Sequence, residues 1–287
     1  MRVIFVPVAD RPECSIALDT AFSLGKSVGA NVIGCHIRPH RDSPVTLSLN
    51  MIWSDQSADE AEWQASAKPE NDQQSQSAAC ELFKLLADRH GYKILRRPGV
   101  APGAIWMEKT GSPNKVLSIM GPVADLLVIS RPAKKGGRLS RLFLAAALLK
   151  SGRPVLIFPQ KESPPIGRRI CIAWNQSAEA ARAVAAAMPL LVKAEKVFIA
   201  SSGDEAQLGP KSSQLATYLS YWGVKSERIS RRGKNESEEI LEMYKSTESD
   251  LLVMGAYTRS RLRHLVFGGV TEHMLQHTSI PVFMLHA

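Results

Sequence analysis

The chain has 287 residues, enough for two domains of ordinary size, and at 45% hydrophobic it can bury a core in each. Only 22% of residues are charged, and 17 Pro and 19 Gly are dispersed, which excludes collagen, coiled coil and wholesale disorder. The 36 basic and 27 acidic residues leave a formal charge of +9, which favours anionic partners without choosing among nucleotides, nucleic acids and anionic membrane surfaces. No apolar run reaches the roughly 20 residues of a spanning helix. Met1–Pro7 is too short for a secretory signal, so a cytoplasmic location is expected. Cys14, Cys35, Cys80 and Cys171 lie far apart without a Cys-x-x-Cys pair, and neither a disulfide framework nor a zinc site is expected.

Strand-length apolar runs alternate with stretches of helical spacing. Arg2–Val8 reads as a strand, Glu13–Val28 as a helix with Ile16, Ala17, Ala21, Leu24 and Val28 on its apolar side, and Asn31–Ile37 as a strand. Ser54–Ser77, rich in Gln, Ser, Ala and acids, reads as a helix with a ragged start interrupted at Pro69, and the helical pattern ends in Glu81–Ala87. Ala104–Thr110 is a strand. Ser112 then caps a helix with Pro113 at its first position, before strands at Asp125–Ile129 and Pro154–Phe158. The two prolines and glycine of Gln160–Arg168 suit a linker.

Beyond the linker the order restarts. Strand Arg169–Trp174, helix Ser177–Val192, strand Lys196–Ala200, helix Gln207–Trp222 and strand Lys225–Ile229 follow one another. A helix at Glu236–Tyr244, capped from Asn235, leads to strand Asp250–Met254, a helix from Val270 to Gln276 and strand Pro281–Leu285. The letters repeat: Ala124-Asp125-Leu126-Leu127-Val128-Ile129 matches Ser249-Asp250-Leu251-Leu252-Val253-Met254, and Gly152–Ile157 matches Ser279–Met284. The pattern predicts an α/β protein of two tandem Rossmann-like domains, residues 1–160 and 168–287. Each is an open, twisted, mainly parallel five-stranded sheet flanked by helices. In such sheets ligands bind beyond the carboxyl ends of the strands, where strand order reverses.

The segment after the fourth strand of the second half carries the chemistry. The strand ends at Met254-Gly255, a basic loop follows with Arg259, Arg261 and Arg263, and Gly268-Gly269 precedes a helix opening with Val270 and Thr271. A missing Cβ at Gly255 admits a ligand or a tight turn. Glycines ahead of a helix present free amide N–H groups, and the helix dipole favours an anion there. This segment resembles the universal stress protein family, whose nucleotide-binding members show Gly, two residues, Gly, nine residues, then Gly followed by Ser or Thr. Gly255 and Gly268 match the first and third glycines, Thr258 replaces the second, and Gly269 replaces the Ser/Thr. Ala173-Trp174-Asn175-Gln176-Ser177 is similar to the family's Asp-Gly-Ser turn, with Asn175 in the Asp place.

The resemblance covers both halves and implies two fused domains of the adenine nucleotide alpha hydrolase-like fold that pair through their last strands, with a homodimer as a further assembly. It implies a stress-response regulator binding ATP, or AMP or ADP, with Mg as an accompanying ion. By position, Ala173 and Asn175 sit near adenine or ribose, and Met254 and Gly255 line base and sugar. Thr258 and Arg259 belong to the loop, and Gly268, Gly269, Val270 and Thr271 hold the phosphates. An amide at 175 can hydrogen-bond a base or ribose but supplies no charge to a metal. The bland alternative is a loop whose glycines merely close a turn, in a scaffold of the same fold acting through protein contacts.

The first half departs further: Ser130 replaces the first glycine, Leu144–Ala147 stands where the phosphate turn opens, and Gly136-Gly137 lies inside the loop, so this half reads as structural. Basic clusters at Arg131, Lys134, Lys135, Arg138, Arg141 and at Arg228, Arg231, Arg232, Lys234 raise a nucleic-acid binder as a further alternative. Aromatics are only 6%, and no reading helix accompanies them, so solvated basic loops are expected instead. His273 and His277 stand at i, i+4 without a third ligand. No nucleophile elbow, phosphate loop of Gly-Lys-Ser/Thr type or catalytic carboxylate pair is present, so no catalytic residue and no metal site are assigned, and turnover is expected to be slow ATP hydrolysis at most.

Overall fold

The computed structural model describes residues 1–8, 12–38, 69–100, 102–131, 138–159, 165–233, 235–256, 269–276 and 279–286. They divide into two compact units, Met1–Arg153 and Pro154–Ala287.

The first unit runs β1 (Val3–Val8), α1 (Pro12–Val28), β2 (Asn31–Arg38), α2 (Pro69–Arg89), β3 (Ala104–Thr110), α3 (Pro113–Met120), β4 (Leu126–Ser130) and α4 (Arg138–Lys150). Its strands lie in the order β3-β2-β1-β4 and are parallel, with Val3 opposite Asn31 and Val32 opposite Ala104. Strand runs such as Leu126–Ile129 are buried throughout, as a sheet covered on both faces requires. An aromatic cluster fills one side: Phe22 lies 5.3 Å from Phe83 and 5.1 Å from Tyr92, and Phe83 lies 5.4 Å from Trp106. Gly34 makes room for it, since a Cβ there would stand 2.6 Å from the Phe83 ring.

The second unit runs β5 (Val155–Phe158), β6 (Arg169–Ala173), α5 (Ala178–Leu191), β7 (Lys196–Ser202), α6 (Ser212–Tyr221), β8 (Ser226–Arg231), α7 (Glu236–Ser246), β9 (Leu251–Ala256), α8 (Gly269–Gln276) and β10 (Val282–His286). Its strand order is β5-β10-β9-β6-β7-β8. The pairings from β10 to β8 are parallel. β5 and β10, the final strands of the two sequence repeats, run antiparallel, with Val282 opposite Ile157 and Met284 opposite Val155.

The duplicated letters have a physical reason. The Asp125 carboxylate accepts the backbone N–H groups of Arg2 at 2.5 Å and Val3 at 3.0 Å, where β1 begins. Its repeat partner Asp250 accepts those of Gly167, Arg168 and Arg169 at 2.7, 3.0 and 3.0 Å, where β6 begins. Each acid ties the entry of the first strand to that of the fourth.

Local caps form as the sequence indicates. Ser112 Oγ accepts from the Lys115 N–H at 3.3 Å, and Asn235 Oδ1 accepts from the Ser237 N–H at 3.1 Å. Three spans differ. The helix expected over Gln207–Trp222 begins only at Ser212, because Pro210 disfavours helix in the residue before it and Gln207–Pro210 is engaged elsewhere. β8 extends to Arg231, past Ile229, because its pairing with β7 continues to Ser202. Of the helix expected over Ser54–Ser77, residues 54–68 lie outside the described set, and α2 starts at Pro69, a favoured first helical residue. Among the described residues no helix is long and apolar enough to cross a membrane.

Candidate functional site

β6 has β7 on one side and β9 on the other. The chain passes from β6 to β7 to β8 and then returns to β9, so strand order reverses between β6 and β9, and an open parallel sheet leaves a crevice at their carboxyl ends. The β6–β9 register places Ile170 opposite Leu251 and Ile172 opposite Val253. It thereby brings Ala173, the last residue of β6, alongside Met254 of β9, both buried. Asn175, just beyond β6, is exposed; its Oδ1 accepts the Ser177 N–H at 3.3 Å. Gly269, Val270 and Thr271 form the first turn of α8: Gly269 is exposed with open space around its Cα, Val270 is half-buried and Thr271 is buried. Thr258, Arg259 and Gly268 lie outside the described residues, as does His277 of the histidine pair. Among the described residues no group of three His, Cys, Asp or Glu side chains forms a metal centre.

Gly255 has a neighbour that its sequence context does not identify. A Cβ there would lie 2.6 Å from Ala180 N and 2.7 Å from the Glu179 carbonyl carbon, so the first turn of α5 occupies the space a side chain would need. That turn is itself fixed: Ser177 Oγ accepts the Ala180 N–H at 3.1 Å, and buried Glu179 pairs with Arg182 at 3.3 Å.

The structure adds Trp174, Gln176 and Gly209, residues that sequence reasoning passed over. Gln176 stands where the family turn has glycine, and it keeps a glycine-like backbone, φ +63°, despite its Cβ. Its side chain is buried and engaged at both atoms: Nε2 donates to Gly209 O at 3.0 Å, and Oε1 accepts the Gln207 N–H at 3.1 Å. Trp174 Nε1 donates to Pro210 O at 2.8 Å. A Cβ on Gly209 would collide with Gln176 O. The β7–α6 loop is therefore latched onto the β6–α5 turn, next to the carboxyl end of β6. At its far end Glu205 Oε1 accepts the Ser212 N–H at 2.8 Å at the start of α6, and Asp204 pairs with Arg232. The signal in the sequence was the bulky amide in a glycine place.

The corresponding edge of the first unit is built differently. Aligning the duplicated letters puts Ser130 opposite Gly255 and Arg131 opposite Ala256. Arg131 is buried, and burial pulls its guanidinium down to about 10, still charged at neutral pH. Beside this edge His36 is buried, with Nδ1 3.1 Å from Val8 O. Lys134, Lys135, Gly136 and Gly137 lie outside the described residues.

The profile of the Universal stress protein family matches residues 180–286. A universal stress protein of Synechocystis sp. is 49% identical over 47 residues, a stretch spanning 16% of this chain and 16% of that relative. The crystal structure of a universal stress protein from Archaeoglobus fulgidus superposes with a TM-score of 0.67 over 99% of this chain and 98% of its own, at 16% identity. A protein of unknown function from Pseudomonas aeruginosa superposes with a TM-score of 0.59 over 100% of this chain and 92% of its own, at 15% identity. At these identities the structural likeness is one of fold. The family likeness therefore rests on residues 180–286, and over the rest of the chain the likeness is one of fold.

Proposed function

We propose that the second unit binds an adenine nucleotide, ATP or the related ADP or AMP, and that binding alters which surface the protein offers to partners in a stress response. The observation that carries this reading is the strand-order reversal between β6 and β9, followed in the chain by a helix, α8, whose first residue is Gly269. Amide N–H groups at a helix start take an anion without needing a charged side chain, and Thr271 adds a hydroxyl. The exposed Asn175 amide uses its oxygen on Ser177 and has its NH2 group available for a ribose or base. Mg would travel on the phosphates, since the amide at 175 contributes no charge. The reading is one of binding rather than turnover.

The latched β7–α6 loop supports a second reading, a scaffold of this fold without a nucleotide, because the turn at the carboxyl end of β6 is already engaged by protein. Equilibrium dialysis of the full chain against Mg-ATP separates the two. Saturable binding at one site per chain is expected, weakened by at least about tenfold in Gly268→Val, about 1.4 kcal/mol. No affinity at millimolar ATP favours the scaffold. Steeply salt-weakened retention of DNA or RNA would instead favour nucleic acid.

A further inference from the structure

The β6–α5 turn is held in a conformation that its sequence disfavours. Gln176 has φ +63°, a backbone that costs a non-glycine residue roughly 5- to 30-fold in population. Against this stand the bonds of its amide to Gly209 O and from the Gln207 N–H, each worth about 2- to 12-fold. The Trp174 indole adds a third, to Pro210 O. The two sides come close to balance, so the turn and its latch form a two-state element rather than a rigid one. Asn175 and Ser177 flank Gln176, and the bond from the Ser177 N–H to Asn175 Oδ1 spans it. The asparagine is therefore presented in this geometry only while Gln176 stays left-handed. The loop depends on the same contact. Among the described residues, 206–210 make no main-chain-to-main-chain hydrogen bond, and all five are exposed. The latch is what holds them, and Leu208 at their centre stands fully in solvent.

We infer that Gln176 is a positioning residue that couples the nucleotide turn to the β7–α6 loop, an inference that rests on the nucleotide reading. Latched, the turn offers the Asn175 amide to a base or ribose. Unlatched, Gln176 leaves the left-handed region, the Asn175–Ser177 bond is lost and the amide is withdrawn. A ligand that prefers the latched turn must, by reciprocity, hold the loop against it. Occupancy of the second unit is thereby expressed at residues 206–210, a solvent-facing segment from which a partner can read it. The coupling belongs to the base and ribose end. The phosphates are assigned to the start of α8, so an anion without base or ribose should not sense residue 176.

Equilibrium dialysis and amide hydrogen exchange on the full chain test it, with Mg-ATP and tripolyphosphate as probes. In the parent, Mg-ATP should slow exchange of the Gln207 amide about tenfold, the factor by which the left-handed backbone is otherwise disfavoured. Gln176→Ala keeps the backbone penalty without the latch. It should weaken Mg-ATP about tenfold and leave the loop exchanging fast with or without nucleotide. Gln176→Gly also lacks the latch, but glycine takes positive φ about as readily as negative. It should recover Mg-ATP affinity to within about threefold of the parent while its loop stays fast. Tripolyphosphate affinity should be the same in all three chains. An alanine variant that binds Mg-ATP like the parent, a glycine variant as weak as alanine, tripolyphosphate affinity that falls alongside, or loop exchange indifferent to nucleotide would each overturn the coupling alone. A parent that binds no Mg-ATP removes the nucleotide reading itself, and the coupling with it.

Discussion

Gly255→Ala separates a structural from a ligand-binding reason for that glycine. The added Cβ would sit 2.6 Å from Ala180 N, 2.7 Å from the Glu179 carbonyl carbon and 2.8 Å from Glu179 Cβ. Ordinary contact begins near about 3.5 Å, so the deficit is roughly 1 Å. Two of the three atoms are main chain, and no rotamer change relieves them. The first turn of α5 must retreat from β9, which costs about 1–3 kcal/mol as overpacking. The retreat also stretches the Ser177 cap on Ala180 N–H, worth about 1 kcal/mol. The expected loss is therefore about 2–4 kcal/mol, or a drop of roughly 6–16 °C in Tm. Denaturant unfolding followed by circular dichroism measures it, with Mg-ATP affinity read on the same samples. A variant within about 0.5 kcal/mol of the parent refutes the packing account, and one that keeps its stability but loses ATP assigns the glycine to the ligand.

Asp250→Ala removes one carboxylate from three backbone donors and is expected to cost about 2–3 kcal/mol, more than Asp125→Ala, which frees two; urea titrations that reverse this order would refute the shared role. Burial pushes the thiols of Cys35 and Cys171 up to about 12, so in the native chain at pH 8 an aromatic disulfide reagent should modify half-buried Cys80 and spare these two. The folded form holds these protons more tightly than the unfolded chain. Their stabilisation is therefore complete below the ordinary thiol range near about 8.5 and fades as pH rises toward 12. Unfolding free energy that does not fall between those values, or falls equally in Cys171→Ala, would count against this.

What could be read from the letters was local or repeated. The Ser112 and Asn235 caps need only their own next turn, and Asp125 and Asp250 announce themselves by recurrence. The latch could not be read, because Gln176 finds its partners 31 and 33 positions away, and only those bonds make a left-handed glutamine tolerable. The same long-range engagement of Gln207 and Gly209 ended the helical pattern early, against the local spacing. Gly255 was legible as a place of close approach, but the approaching partner belongs to a helix some 75 positions earlier. Thr258, Arg259 and Gly268 of the expected site fall outside the described residues, so the phosphate end of the site rests on its spacing.

At the fourth strand the two repeats share the residue that precedes the strand, Asp125 and Asp250, and differ where the strand ends. At the entry edge both retain an aspartate on the amides of the first strand, and such a device serves any occupant of the fold. At the carboxyl edge, where open α/β sheets place their ligands, Gly255-Ala256 of the second repeat corresponds in sequence to Ser130-Arg131 of the first. A buried, charged guanidinium needs protein or anion around it and cannot line an apolar slot for a base. A repeat that keeps Gly255-Ala256 at this edge, where the other carries a buried arginine, is the one to test for a nucleotide.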